Sequence, residues 1–106
     1  MPLESKAVSI LVKNCVGSYD EGAKVILFGS RARGDASQES DWDFLVLTDQ
    51  KDTELLAAAL RKKIGKEVEL KLDVAVSLIV KNKLVWERDY AVTNIYQSIS
   101  EEGVEV

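Results

Sequence analysis

Two rhythms of apolar residues alternate along the chain. From Leu3 to Val16, Ala7, Val8, Leu11 and Cys15 fall on one helical face, and Gly17 stands where the helix would stop. Lys24-Val25-Ile26-Leu27-Phe28 is a β-branched and aromatic run closed by Gly29, which predicts a buried strand. After a polar segment from Ser30 to Ser40, Asp41 to Leu47 predicts a second strand. Asp52 to Ile64 predicts an amphipathic helix: Leu56, Leu60 and Ile64 recur every four residues, Leu55 and Ala59 lie beside them, and Gly65 follows. From Val68 to Leu78 the period changes to two. Leu70, Leu72, Val74, Val76 and Leu78 alternate with Glu69, Lys71, Asp73, Ala75 and Ser77, predicting a third strand with one packed and one polar face. Val92, Ile95, Tyr96 and Ile99 predict a last helix over Asp89 to Ser100, and Gly103 to Val106 a short tail strand.

These elements make an α+β fold: a small mixed sheet with helices packed on one face, the other left open for chemistry. No linker, repeat or low-complexity tract divides residues 1–106, so one domain is expected.

Composition narrows the chemistry. The chain has 106 residues, 46% of them apolar and 30% charged, enough for a core inside a solvated surface. Acidic residues outnumber basic ones 18 to 14, and the net charge of −4 opposes a nucleic-acid grip through a basic surface. There is no histidine, which excludes an imidazole base, a catalytic triad or a histidine-ligated metal within the chain. The one cysteine, Cys15, forms no internal disulfide and reads as packing rather than as a nucleophile. The longest apolar run, Leu55 to Leu60, is far short of the ~20 residues that span a bilayer, and Glu4 and Lys6 fit no secretory signal. A cytoplasmic location is expected.

Candidate chemistry gathers in two places. Gly29-Ser30 ends a strand and could open a helical turn, where exposed N–H groups, a hydroxyl and a close main-chain approach suit a phosphate. A turn glycine with an N-capping serine explains the same dipeptide. Gly29 and Gly34 have the spacing of a P-loop, but Asp35 and Ala36 replace its lysine and hydroxyl residue. Asp41 and Asp43 are two apart on a predicted strand and so share a face. Like charges there raise each other's pKa, and a hard divalent cation, magnesium or manganese, relieves the cost. A strand cap followed by an exposed acid is the plainer account. Asp73, placed on the polar face of the third strand, could stand beside Asp43, and three carboxylates can clamp two cations for phosphoryl transfer. Aspartate is disfavoured within strands, which weights Asp73 towards a site.

Gly29-Ser30, ten intervening residues, Asp41-x-Asp43 and the later Asp73 together resemble the nucleotidyltransferase superfamily of DNA polymerase beta. The similarity is greatest to the minimal nucleotidyltransferases, small proteins often paired as antitoxins with helical HEPN toxins, and it extends to the aromatic helix running into Glu-Gly-Val at Ile95 to Val104. The resemblance implies that Asp41, Asp43 and Asp73 bind two magnesium ions, with Asp73 helping to activate the attacking hydroxyl. It implies that Gly29 and Ser30 hold the triphosphate of ATP or another nucleoside triphosphate, with Arg31 and Arg33 as further phosphate contacts. Magnesium would then do what the missing histidine cannot.

The resemblance further implies transfer of a nucleoside monophosphate, AMP from ATP, to a hydroxyl. A chain this short leaves that acceptor to another molecule, plausibly a tyrosine of a HEPN-type partner. The rival reading is a non-catalytic, antitoxin-like binding module that neutralises its partner by contact. A third reading, a metal-free hydrolase built on paired carboxylates, would need one raised acid and a substrate cleft. Trp86, Tyr90 and Tyr96 are candidate partner-facing aromatics, and a homo-oligomer or hetero-complex would cover surplus apolar surface.

Overall fold

Strand order β3-β2-β1-β4 defines the sheet in the computed structural model, which describes residues 3–106. Helix α1 (Leu3–Gly17) precedes β1 (Lys24–Phe28), and a single turn, α2 (Ser30–Arg33), leads towards β2 (Trp42–Thr48). Helix α3 (Thr53–Ile64) continues through a π-helical turn, Gly65–Glu69, into α4 (Leu70–Leu72). Strand β3 (Val76–Asn82), helices α5 (Lys83–Asp89) and α6 (Asn94–Glu102), and β4 (Val104–Glu105) complete the chain. β1 runs antiparallel to β2 and to β4, whereas β2 and β3 are parallel and joined across α3. The sheet is therefore mixed and the fold α+β, as the patterning predicts.

Alternation along each strand sorts the core into two clusters. Val25, Leu27, Trp42, Phe44, Val46 and Val80 face α1 and α3, where Val8, Val12, Val16, Leu56, Leu60 and Ile64 meet them. Cys15 belongs to this cluster; burial, then its contact with Glu67, pushes its thiol up to about 11. On the opposite face Leu45 and Leu47, with Ile26, Phe28 and Ile79, pack against Trp86, Tyr90, Tyr96 and Ile99. One helical layer is thus as expected, but α5 and α6 cover much of the second face. The Trp86 ring stacks on Tyr90 with centroids 5.4 Å apart and packs tilted against Tyr96 at 5.3 Å. The three aromatics proposed as a partner surface are therefore largely an internal cluster, with Trp86 itself buried.

The third strand begins later than its period-two pattern predicts. Leu56, Leu60, Ile64 and Val68 are all buried and continue one four-residue ladder. That ladder carries the helix straight through Gly65, which is helical at φ −55 and ψ −44. Burying Val68 beyond it outweighs the ~1 kcal/mol that glycine costs a helix. Leu70 and Leu72, read as the packed face of a strand, are exposed helical residues instead. The helical stretch ends at Asp73, a non-glycine residue in the left-handed region at φ 52.

The predicted last helix, Asp89 to Ser100, forms as α6 over Asn94–Glu102, and α5, which the patterning did not predict, precedes it; each is begun by a side-chain cap. Asn82 accepts from the Leu84 and Val85 N–H groups, and Thr93 from that of Tyr96. The tail strand forms as expected against β1. Gly103 permits that close return, since a Cβ there would stand 2.5 Å from the Ile99 carbonyl and 2.8 Å from Ile26 Cγ2. No helix among the described residues is long and apolar enough to cross a membrane.

Candidate active site

β1 and β2 are antiparallel, so the end of β1 lies beside the start of β2: Phe28 is in register with Asp43. Gly29 follows with φ 75 and ψ −159, turning the chain abruptly into α2. The turn presses the main chain against the Asp43 carboxyl group. A Cβ on Gly29 would collide with Asp43 Oδ2 and stand 3.3 Å from Cγ. Asp43 shares a sheet face with Leu45 and Leu47, but beyond the reach of their aromatic cover, and is half-buried. Asp41 precedes the strand and is exposed. Burial first, then the neighbouring Asp41 charge, raises the pKa of Asp43; Arg33 opposes both. Asp41 and Asp43 thus flank the start of β2, Asp41 just before the strand rather than on it.

Asp73 does not join them. Its position in the turn after α4, rather than on β3, sets it along a cleft with Arg31, Ser40, Trp42 and Val74 that neither Asp41 nor Asp43 lines. Among the described residues no group of three acidic, cysteine or histidine side chains is placed to hold a metal ion. Parallel pairing instead puts Ser77 beside Asp43 on β3. No sequence signal marked Ser77, because the strand that carries it was expected to begin eight residues earlier, at Val68.

The two arginines separate as well. Arg31 donates to the Ser40 carbonyl through Nε and Nη2, at 3.3 and 3.1 Å, and to that of Gln38 at 3.2 Å. Its guanidinium also lies 4.3 Å from the centroid of the Trp42 ring. Arg31 is thus committed to bracing the 34–41 loop. Arg33 pairs with Asp35 at 3.1 Å and Glu102 at 3.0 Å, and its charge reaches Asp43. Ser30 is partly exposed at the mouth of the site, where the Gly29 carbonyl accepts from the Ala32 and Arg33 N–H groups.

The residues fit a hard divalent cation without a third acid. Magnesium commonly takes one or two carboxylates and completes its shell with water and substrate phosphates. Asp41 and Asp43 supply such a pair. Burial first and then the Asp41 charge raise the pKa of Asp43, and a cation beside it would offset both costs.

Residues 10–106 match the family model described as "Nucleotidyltransferase domain". The chain is also 37% identical over 87 residues to "Putative protein adenylyltransferase MJ0141" of Methanocaldococcus jannaschii, covering 82% of this chain and 81% of that protein.

Proposed function

The chain belongs to the nucleotidyltransferase domain family and is a nucleotidyltransferase, and on that premise we propose that it moves AMP from ATP to a hydroxyl on a protein partner. One observation carries the site assignment: the Asp43 carboxylate, desolvated against Gly29 and next to Asp41, lies where the β1–α2 turn would present a triphosphate. Asp41 and Asp43 hold magnesium together with the phosphates. When bound, the metal offsets charge on the attacking and leaving oxygens. The acceptor oxygen forms a bond to the α-phosphorus, the bond to pyrophosphate breaks, and the hydroxyl proton is released. Gly29 keeps the approach to the main chain open, and Ser30 donates its hydroxyl to a phosphate oxygen. Arg33, whose charge already acts on Asp43, is the nearer of the two arginines to this chemistry. The relative's printed name supports a protein acceptor. A HEPN-type partner in a toxin–antitoxin pair supplies such an acceptor, and a cytoplasmic setting supplies the nucleotide.

Ser77, standing beside Asp43 where a third acid was expected, favours the second reading, a binding module that acts on the same partner by contact. One assay separates the two. Labelled ATP, magnesium and a co-purified partner are combined with wild type or with the Asp41→Asn/Asp43→Asn variant. Label transferred by wild type alone establishes the enzyme. Partner binding that survives in both proteins, with no transfer by either, establishes the binding module. Magnesium-induced stabilisation of wild type and not of the variant reports the metal site independently of turnover.

A further inference from the structure

β3 lies at the edge of the sheet, and its outward main-chain groups can be assigned from two hydrogen bonds. The Trp42 N–H donates to the Ala75 carbonyl at 2.8 Å, so Ala75 directs its groups towards β2. Val76 then points outward, and its N–H indeed donates to Glu69 Oε2 at 3.1 Å. Alternation carries the outward direction to Leu78 and Val80, and the inward one to Ser77 and Ile79. Glu69 guards one end only. Beyond it the edge is long and apolar, with Lys81 as its one charged residue, and the Lys81 ammonium lies 4.7 Å from the centroid of the Tyr90 ring. Edges of this kind recruit another strand unless charge, proline or a covering element blocks them.

We propose that this edge is a self-association surface, on which a second copy of the chain adds its own β3 antiparallel about a two-fold axis through Ile79. In that register Leu78 of one copy faces Val80 of the other, and both present outward N–H and C=O groups, giving four main-chain hydrogen bonds across the axis. Ile79 faces its own counterpart at a non-hydrogen-bonded position.

The flanking surface matches itself under the same rotation. A groove of about 540 Å³ runs between α3 and the edge, lined by Glu54 and Arg61 with Leu78 to Lys81. Glu54 lies towards the Lys81 end, whereas Arg61 also lines the adjoining hollow at Val76. Antiparallel pairing carries Glu54 of each copy towards Arg61 of the other. Both are exposed, and neither makes an ion pair among the described residues. The rotation also brings the end bearing Leu84, 77% exposed, to the end bearing Leu70, 80% exposed. An unrelated strand could satisfy the main chain, but a second copy satisfies the strand, the charges and the apolar ends together.

Sedimentation velocity over a concentration series tests this with wild type, Arg61→Glu, Glu54→Arg/Arg61→Glu and Ile79→Cys. The expected result is a wild-type dimer whose dissociation constant rises about tenfold in Arg61→Glu, since two symmetric pairs become repulsive, and recovers in the double variant. Ile79→Cys is expected to form a disulfide-linked dimer under mild oxidation, while Leu55→Cys, on the exposed side of α3, is not. A monomer at every concentration overturns the proposal. So does a dimer indifferent to Arg61→Glu, or one in which folded Ile79→Cys fails to cross-link. Because Glu54 and Arg61 are exposed, the charge exchange remains decisive even where Ile79→Cys folds poorly.

Discussion

Asp43 occupies the space that a side chain on Gly29 would need. The glycine is required twice, for a positive φ and for the absence of a Cβ, and both requirements meet at the candidate carboxylate. Gly29→Ala is expected to cost about 1–2 kcal/mol from backbone strain alone and to displace the Asp43 carboxyl group. Gly34→Ala is the control, because φ is 85 there too but the Cβ would meet open space. Denaturant unfolding should report the larger loss in Gly29→Ala, where φ 75 and ψ −159 suit glycine alone, and a smaller one in Gly34→Ala, which is left-handed at φ 85 and ψ 10. Nucleotide transfer should fall only in Gly29→Ala.

Asp43 also predicts a pH dependence of the metal-free protein. Its pKa in the folded state lies above the ordinary 3.8, chiefly through burial. Such a group contributes stability that is fully present below the unfolded value and lost as pH rises through the folded one. Asp43→Asn should therefore gain on wild type as pH climbs out of the acid range, in chelator. Added magnesium should narrow that gap by stabilising wild type. Urea midpoints measured against pH, with and without magnesium, check both directions.

Cys15 should behave as an inert thiol. With its pKa pushed from 9.0 up to about 11, the contribution of the protonated group is intact below pH 9 and fades as pH rises through about 11. Iodoacetamide should label it only on unfolding at neutral pH, as mass spectrometry would show.

The arginines should part company. Arg31→Ala removes three carbonyl contacts and a cation–π contact with Trp42, so it should destabilise the fold by about 1–3 kcal/mol. Magnesium binding should be little changed. Arg33→Ala should leave stability nearly intact, because its ion pairs are exposed, and weaken nucleotide binding. Thermal unfolding and calorimetric titration separate the two patterns.

Asp73 tests whether a third acid takes part in the site. Asp73→Gly, which suits a left-handed residue, should keep or raise stability and leave magnesium-induced stabilisation unchanged. Asp73→Val should cost about 1–2 kcal/mol from strain. Loss of the magnesium response in Asp73→Gly would restore Asp73 to the metal site.

Local signals were legible where one element decided them. The run Lys24–Phe28, the apolar stretch from Phe44 to Leu47 and the four-residue ladder of Leu56, Leu60 and Ile64 each specify their element through short-range sterics and burial. The two-residue spacing of Asp41 and Asp43 likewise placed both acids at one end of a strand. The stretch 65–78 carried competing periods. Leu70 and Leu72 suggested a strand, while Val68 extended the ladder of Leu56, Leu60 and Ile64 into a helix.

By itself, the sequence determined an α+β chain with two acids, Asp41 and Asp43, at the start of a strand after a glycine turn, and no imidazole chemistry. Only the tertiary structure decided which period prevailed over 65–78, because that depended on the sheet and α1 against which Val68 is buried. The choice moved β3 along the chain, and with it the residue beside Asp43. Register acts between strands distant in sequence, so Ser77 replaced Asp73 there without any local mark of the exchange.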